Sequence, residues 1–132
     1  MVTVDIGSIM TDEVIVMDET QQVAYARNLM LRHGISRVVV VDADGKPIGI
    51  VTETDITRKL RVNGPDWKRR PIDKISIRRV MTENPITVNV DDTPRDAADL
   101  MLRKDVGSLL VMDGEELAGI VTKKDLLRFF KD

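Results

Sequence analysis

The chain has 132 residues, of which 42% are hydrophobic and 32% are charged, and its formal net charge is −2, which predicts an ordered, globular protein of one compact domain or two small fused units. The longest apolar runs are too short to span a bilayer, and the N-terminus lacks the basic region and apolar stretch of a secretion signal. Because the sequence has no cysteine, it excludes disulfides, thiolate metal sites and a cysteine nucleophile, and it fits a cytoplasmic protein.

The N-terminal third begins with strand-forming residues and continues into a helix. Alternation of Val2 and Val4 predicts a short edge strand, and the apolar stretch at residues 14–17 predicts a second strand. From Val23 onward, apolar residues recur at helical spacing as far as Gly34, a residue type that commonly ends helices. This part of the chain is therefore expected to form strands followed by one amphipathic helix.

The next segment predicts a β-hairpin and a second helix. The four valines at residues 38–41 are typical of a buried strand, and Asp44-Gly45 is a strong turn signal leading into the apolar residues 48–51. A second helix then extends to Leu60. The predicted order of elements is strand, helix, strand, strand, helix.

One heptapeptide joins the last strand to the last helix, and it occurs twice. Its copies are Gly-Ile-Val-Thr-Glu-Thr-Asp at residues 49–55 and Gly-Ile-Val-Thr-Lys-Lys-Asp at residues 119–125. The apolar pair predicts the end of a buried strand, and Thr-x-x-Asp predicts the start of a helix. Free backbone N–H groups and the helix dipole at such a turn suit an anionic ligand. The alternative is a capping box, in which the threonine and aspartate satisfy the first turn of their own helix.

The heptapeptide belongs to a longer internal repeat. A shift of 71 residues places Met10-Thr11 on Met81-Thr82, and Leu-Met-Leu-Arg at residues 29–32 on the same four residues at 100–103. Residues 1–60 form the first repeat, residues 61–79 a linker and residues 80–132 the second repeat. Two such repeats usually pack by pseudo-symmetry, each covering the other's exposed face.

The linker region carries an excess of positive charge. Residues 58–79 contain nine basic and two acidic side chains, whereas the sequence on either side is net acidic. Three interpretations stay open: a solvated linker, a basic lid over bound phosphates to which Lys68, Arg69 and Arg70 would contribute, and a patch for nucleic acid. No interleaved aromatic residues and no helix-turn-helix pattern support nucleic-acid binding, which is the least favoured.

These motifs together resemble the cystathionine-β-synthase (CBS) domain. They are Met-Thr-x-x-x-Ile, the helix ending in Leu-Met-Leu-Arg, the valine-rich strand, Asp-x-x-Gly and Gly-Ile-Val-Thr-x-x-Asp, and with their second copies they extend from Ile9 to Phe129. Two such domains in tandem resemble a Bateman module. The resemblance implies an α/β fold of two β-α-β-β-α units, each with a small mixed sheet, packed sheet to sheet about a pseudo-two-fold axis.

The resemblance also implies two clefts for adenosine-containing ligands such as AMP, ATP or S-adenosylmethionine. Each cleft would combine the helix start of one repeat with the first strand of the other, its aspartate holding the ribose hydroxyls and its threonine and helix N-terminus facing the phosphates. One cleft would use Ser36, Thr52 and Asp55 with Pro85, Ile86 and Thr87. The other would use Ser108, Thr122, Lys124 and Asp125 with Val14 and Ile15. Because Lys124 adds a cation where the first repeat has Thr54, the second cleft is the better candidate for a polyphosphate.

The sequence favours a regulatory module over an enzyme. His33, the sole histidine, stands at a predicted helix end, where a cation has an ordinary structural role. No second histidine and no cysteine completes a metal site or a nucleophilic triad. The acidic residues show no pair that the sequence places together in a cleft. We therefore expect ligand sensing on behalf of a separate effector protein, with a structural dimerisation module and a nucleic-acid-associated protein as alternatives.

Self-association is also expected. One helix follows each heptapeptide. The first ends at Leu60, and the second ends in the apolar residues of the stretch 126–130. Both carry more apolar surface than such a thin unit buries alone. The resemblance implies a disc-shaped homodimer. The expected partners are thus an adenosine-containing small molecule, a second copy and an effector protein, without a membrane, a metal or a catalytic cofactor.

Overall fold

The computed structural model describes residues 4–60 and 74–131 and shows a mixed α/β protein with two small sheets. Val2 and the basic residues Lys68, Arg69 and Arg70 lie outside these ranges. The elements of the first half are β1 (Val16–Asp18), α1 (Val23–His33), β2 (Arg37–Val41), β3 (Pro47–Thr52) and α2 (Glu53–Leu60). Those of the second half are β4 (Thr82–Glu83), β5 (Thr87–Asn89), α3 (Pro94–Lys104), β6 (Ser108–Asp113), β7 (Glu116–Thr122) and α4 (Lys123–Phe130).

The predicted order of strands and helices is confirmed in both repeats, and the differences are at the N-terminus and in the short extra strand β4. β1 begins at Val16, two residues later than expected, and the preceding Ile15 contributes a carbonyl that accepts a hydrogen bond from Val39 N at 3.0 Å. Val4 is not part of a strand. The next residue, Asp5, caps a short 3₁₀ turn at Ile6–Ser8 by accepting a hydrogen bond from Ser8 N, and this local capping prevails over the strand propensity.

The contacts divide the chain into two compact units, and neither unit is a single repeat. The first unit is Ile15–Pro85, and the second joins Met1–Val14 to Ile86–Asp132. In the first unit the sheet order is β1-β2-β3-β4, with β1 parallel to β2 and the other pairs antiparallel. In the second unit β5 is parallel to β6 and β6 antiparallel to β7, and Thr11 forms an antiparallel bridge with Ile120 where the first unit has β4.

Each heptapeptide therefore pairs with the Met-Thr motif that precedes the other repeat's first strand, and its glycine makes this pairing possible. A Cβ atom on Gly49 would lie 2.6 Å from Met81 Sδ. A Cβ atom on Gly119 would lie 2.7 Å from Met10 Sδ and 2.7 Å from the main-chain oxygen of Thr11. Since real Cβ contacts do not come so close, a side chain at Gly119 would force the main chain of Thr11 away, whereas one at Gly49 would displace the Met81 side chain.

Each unit has its own hydrophobic core between its sheet and its helices. Each core is completed by an exchanged arm, which is the segment before one repeat's first strand that packs in the other repeat's unit (residues 6–11 and 77–83). Ile6 is fully buried in the second unit, and Ile77 is fully buried in the first. Among the described residues, the other fully buried side chains of these two cores are Val23, Ala26, Val38, Val40, Val51 and Val80 in the first unit, and Ala97, Leu109, Val111 and Val121 in the second. Burying one such valine, leucine or isoleucine contributes about 1.5–3 kcal/mol to folding.

The helix ends follow from local sequence. α3 begins at the predicted Thr93-Pro94, where Thr93 and Asp96 form a capping box. α1 ends at Gly34 with φ of 62°, and α3 ends at the equivalent Asp105 with φ of 53°, so the same left-handed position is filled once by glycine and once by aspartate. Within residues 4–60 and 74–131, the structure contains no helix with the length and hydrophobicity of a membrane span.

Candidate functional site

Both heptapeptides form capping boxes at the starts of α2 and α4. Thr52 N donates to Asp55 Oδ2 at 3.1 Å, and Asp55 N donates to Thr52 Oγ1 at 3.0 Å. In the second copy, Thr122 N donates to Asp125 Oδ2 at 2.9 Å, and Asp125 N donates to Thr122 Oγ1 at 3.3 Å. Thr122 Oγ1 lies 3.1 Å from Asp125 Oδ2 as well. The capping interpretation is therefore confirmed for both copies.

Capping leaves part of each aspartate available. The described residues give hydrogen bonds to Oδ2 of Asp55 and Asp125, and none of them donates to Oδ1. Both aspartates are half-buried, whereas Asp96 of the third capping box is exposed. The Oδ1 atoms of Asp55 and Asp125 thus remain as acceptors in partly buried surroundings, where a hydrogen bond to a ligand is less exposed to competing water.

The first backbone N–H group of α2 and that of α4 already donate hydrogen bonds within the protein. Glu53 N donates to the main-chain oxygen of Ser36 at 3.0 Å, and Lys123 N donates to that of Gly107 at 3.1 Å. These bonds hold the chain before β2 and β6 against the helix starts. An anion at either turn would consequently have to use the later N–H groups and the side chains.

The two predicted serines are not equivalent positions. Ser108 pairs with Thr122 in the β6–β7 register, and the residue paired with Thr52 in the first unit is Arg37. Ser36 therefore corresponds to Gly107. Each serine lies next to its heptapeptide, and Arg37 occupies the position in the first unit that Ser108 occupies in the second.

A pocket of about 270 Å³ adjoins the start of α4. It is lined by Ile9, Asp125, Arg128 and Phe129, all within the second unit. Sequence reasoning singled out Asp125 and missed the other three. Arg128 and Phe129 follow Asp125 at helical spacings of three and four residues, which is a signal that identifies them. Ile9 carries no such signal, because its position depends on the pairing of Thr11 with Ile120.

In the first unit, a lysine occupies the position equivalent to Phe129. Lys59 corresponds to Phe129, and its Nζ donates to the main-chain oxygens of Val80 at 2.8 Å and Met81 at 3.2 Å. These two carbonyls belong to the residues that correspond to Ile9 and Met10. The ammonium group thus ties the last turn of α2 to the exchanged arm, whereas the second unit places an aromatic ring beside its arm.

Charge distinguishes the two helix starts further. The first two residues of α4 are Lys123 and Lys124, both exposed, and the first two of α2 are Glu53 and Thr54, also exposed. The start of α4 therefore presents two cations to an approaching anion. The start of α2 presents a carboxylate instead.

A second groove, of about 650 Å³, runs along α3. Its lining includes Thr87, Asp92, Asp96, Asp99 and Arg103. Sequence reasoning identified no acidic pair in a cleft and missed this one, although helical spacing brings Asp96 and Asp99 to the same face of α3. In the portion of the chain described by the structure, no group of three or more acidic or histidine side chains has the arrangement of a metal site.

The predicted site residues are distributed over both units. The first unit holds Ile15, Ser36, Thr52, Asp55 and Pro85, and the second holds Val14, Ile86, Thr87, Ser108, Thr122, Lys124 and Asp125. Within the second unit, Thr87 lines the groove along α3, and Asp125 lines the pocket at α4. The combination of residues from different units into one cleft stays a prediction.

Comparison with known proteins bears on these sites. The chain is 35% identical, over 96% of its length, to the uncharacterized protein MJ1404 of Methanocaldococcus jannaschii, and 35% identical, over 86% of its length, to the inosine-5′-monophosphate dehydrogenase of Korarchaeum cryptofilum. It spans 32% and 22% of the lengths of these relatives.

A solved structure is similar over its whole length. The CBS domain pair of protein MJ0100, in complex with 5′-methylthioadenosine and S-adenosyl-L-methionine, superposes with a TM-score of 0.82 at 27% identity, covering 98% of each chain. The sequence model of the CBS domain matches residues 6–62 and 77–132. With two matched copies over most of its length, the chain belongs to the CBS domain family, as a tandem pair.

Proposed function

We propose that this chain is a regulatory module that binds an adenosine-containing ligand at the starts of α2 and α4, and that Asp125 and Asp55 hold the ribose. The observation that carries the proposal is that Asp125 lines an open pocket while no described residue donates to its Oδ1. It is supported by the adenosyl ligands of the related MJ0100 pair. The remaining residues of the two predicted clefts belong to the same proposal.

The chemistry of a ribose fits these aspartates. A carboxylate accepts hydrogen bonds from both hydroxyls of a cis-diol, and such charge-assisted bonds contribute about 1.5–3 kcal/mol each. At Asp125 the capping bonds to Oδ2 fix the carboxylate, so little side-chain freedom is lost when Oδ1 accepts a ligand hydroxyl. The cap and the ligand site are therefore compatible functions of one side chain.

The charges at the starts of α2 and α4 favour different ligands at the two sites. Lys123 and Lys124 favour a phosphate-bearing ligand such as AMP or ATP at α4, because each close cation adds roughly 1 kcal/mol of attraction even in water. Glu53 disfavours phosphate at α2 and favours an uncharged or cationic adenosyl group, such as that of S-adenosylmethionine. We therefore expect different ligands at the two sites.

The proposed action is on a separate effector, and it is regulatory rather than catalytic. The related dehydrogenase from Korarchaeum cryptofilum is an enzyme in which this module accounts for 22% of the length. A cysteine-free chain is compatible with action in the cytoplasm, where thiols stay reduced.

The proposed assembly is a homodimer. Large apolar side chains remain exposed on three helices: Leu127 and Phe130 on α4, Leu31 on α1 and Leu102 on α3. Such exposure in an otherwise well-packed chain supports an interface between copies. Sedimentation at micromolar concentration is expected to give a dimer, and a stable monomer of about 15 kDa, given the chain mass of 14.8 kDa, would refute this part of the proposal.

The ligand proposal is tested by calorimetric titration of AMP, ATP, 5′-methylthioadenosine and S-adenosylmethionine, with mass spectrometry of small molecules that co-purify. Saturable binding with the stoichiometry of one or two per chain is expected, and it should raise the melting temperature. If none of the four ligands binds and no adenosyl compound co-purifies, the alternative of a structural dimerisation module replaces ligand sensing.

A further inference from the structure

The two exchanged arms are attached to their units by different contacts. In the first unit, the arm at residues 77–83 forms β4, which pairs with Gly49 and Ile50 of β3. In the second unit, the sheet contact of the N-terminal arm, residues 6–11, is the isolated bridge between Thr11 and Ile120. Among the described residues, the N-terminal arm therefore has the shorter contact with its sheet.

A lysine adds a further attachment in the first unit. Lys59 Nζ, on the last turn of α2, donates to the main-chain oxygens of Val80 and Met81 at 2.8 and 3.2 Å. A hydrogen bond from a charged donor contributes more than one between neutral groups, about 1.5–3 kcal/mol. This ammonium group thus holds the arm at residues 77–83 against α2 in the protein without any ligand.

The second unit has an open pocket where the first has this attachment. Phe129 stands at the position equivalent to Lys59, and its side chain has no hydrogen-bond donor. No described residue donates to the main-chain oxygens of Ile9 or Met10, which correspond to the two carbonyls that the lysine binds. Ile9 and Phe129 line the pocket at α4 together with Asp125. One wall of the proposed ligand pocket is therefore a residue of the N-terminal arm.

A pocket that is complete only while the arm is in place couples ligand binding to the position of the arm. A ligand that binds with the arm in place, and not with the arm released, must shift the equilibrium toward the bound arm. The shift is a factor of about 1 + [L]/Kd, which is about 100 when the free ligand is at 100 times its Kd. Adenosine-containing ligands also carry hydroxyl and amino donors, and main-chain carbonyls are common partners for such groups.

We propose that a ligand bound in the pocket at α4 holds the N-terminal arm on the second unit, and that Lys59 holds the other arm without a ligand. The inference rests on the proposed function, because it concerns the same pocket, and it specifies the segment whose exposure depends on binding. Ligand occupancy stabilises the N-terminal arm more than the arm at residues 77–83. The N-terminal arm is thus available to communicate occupancy to an effector.

Hydrogen exchange of the arm, followed by NMR, tests this coupling. The ligand is AMP, ATP, 5′-methylthioadenosine or S-adenosylmethionine, whichever binds tightest, and the Asp55→Asn background leaves α4 as the proposed site. Three arm amides that donate across the contact to the second unit are the reporters, those of Ile6, Gly7 and Thr11. Without ligand they should exchange faster than the amides of β5–β7, and at 100 times the Kd they should slow by about 10- to 100-fold. The amide of Ile77, in the other arm, is expected to respond less.

Reciprocal substitutions test the two attachments in the ligand-free protein. Phe129→Lys gives the second unit the ammonium group of the first, so it should slow exchange of the N-terminal arm about tenfold. Phe129→Met is the matched control, because it supplies a long side chain without a donor. Lys59→Met removes the ammonium group from the first unit, so it should speed exchange of residues 77–83 about tenfold and leave ligand affinity at α4 unchanged. Circular dichroism of each variant checks the fold.

The outcomes separate the arm coupling from the ligand site. If calorimetry shows binding but exchange of the N-terminal arm is unchanged, the coupling is overturned and the proposed function stands. The coupling is also overturned if the ligand-free arm exchanges as slowly as β5–β7, because the arm is then not released by itself. If Phe129→Lys protects the arm no more than Phe129→Met, the proposed equivalence of the two attachments is wrong. If no ligand binds the parent, the ligand site and the coupling both fail, and Lys59→Met still tests the attachment at Lys59.

Discussion

Asp125 serves its own helix with one carboxylate oxygen and leaves the other unused by the described residues. Asp96 has the same role in the capping box of α3, where Thr93 N donates to its Oδ2 at 3.1 Å. The two residues share one geometry but differ in their surroundings, since Asp125 is half-buried and lines the pocket at α4, whereas Asp96 is exposed in the groove along α3. Comparing them distinguishes the cap from the ligand function.

Asp125→Asn is expected to leave the melting temperature of the ligand-free protein nearly unchanged, because an asparagine oxygen still accepts the capping bonds. A cap contributes at most about 1 kcal/mol here. Affinity for an adenosine nucleotide should fall at least tenfold, since the amide offers one acceptor oxygen instead of two and loses the negative charge. Asp55→Asn should act in the same way at α2. Calorimetry measures both affinities.

Asp96→Asn is the matched control for these two variants. It changes a capping box of the same geometry outside the heptapeptides, so ligand affinity should not change. If Asp55→Asn and Asp125→Asn behave like Asp96→Asn, all three aspartates are caps and the proposed ribose contacts are wrong.

Asp18 illustrates how a single turn sets a pKa. Thr20 Oγ1 and Thr20 N donate to Asp18 Oδ1 at 2.7 and 2.8 Å, and these bonds hold the pKa of Asp18 below its ordinary value of 3.8. A lowered pKa in the folded state stabilises the protein above the unfolded pKa, and this contribution is lost as the pH falls through the folded pKa. Thr20→Val should therefore raise the pKa of Asp18, whereas Thr20→Ser should preserve it. Carboxyl NMR titration reads the value directly, and an unchanged pKa in Thr20→Val would show that the hydroxyl is not the cause.

At the scale of elements, the equivalent ends of α1 and α3 carry different residues, and exchanging these residues tests what each contributes. Both need a left-handed residue, supplied by Gly34 in one case and Asp105 in the other. For Asp105→Gly, relief of the left-handed conformation gains about 1–2 kcal/mol, and glycine's extra chain entropy costs about 0.5–1 kcal/mol. The expected net stabilisation is about 0.5–1 kcal/mol.

The reciprocal change, Gly34→Asp, should destabilise the protein by a similar amount. Urea denaturation of both variants checks the pair. If Gly34→Asp is instead more stable than the parent, an aspartate side chain at this helix end makes a favourable interaction that outweighs the cost of the left-handed backbone conformation.

Local elements and caps were predictable from the sequence because neighbouring residues determine them. Thr93-Pro94 and Gly34 marked helix boundaries, and both Thr-x-x-Asp motifs gave the expected boxes. The pocket at α4 was not predictable, since Ile9 reaches it through a pairing with a strand more than a hundred residues away. Lys59 was missed for the same reason, because its carbonyl partners belong to the exchanged arm.

At the scale of the whole molecule, each repeat depends on an arm that lies outside it. Ile6 precedes the first repeat's strands but is fully buried in the core of the second unit, and Ile77 precedes the second repeat's strands but is buried in the first. Ile6→Ala should therefore destabilise β5–β7, and Ile77→Ala should destabilise β1–β3. Each cavity is expected to cost about 2–5 kcal/mol.

Hydrogen exchange resolves the two effects strand by strand. Loss of protection should appear in the unit that contains the substituted isoleucine, with a smaller effect on the other unit. If Ile6→Ala instead weakens β1–β3 first, the assignment of the N-terminal arm to the second unit is wrong.

The exchanged arms also set the order in which the chain can fold during its synthesis. The first unit is complete once Pro85 has left the ribosome, but Thr11 must wait until Ile120 has been made. At about 5–20 residues per second, synthesis of the chain from Thr11 to Ile120 takes roughly 5–20 s. For all of it, the apolar Ile9 and Met10 stay without their partners in β7 and α4 and are open to chaperones. A pause in translation between Pro85 and Ile120 would yield a folded first unit beside an unfolded second one, although the second unit contains residues that are made before the first unit.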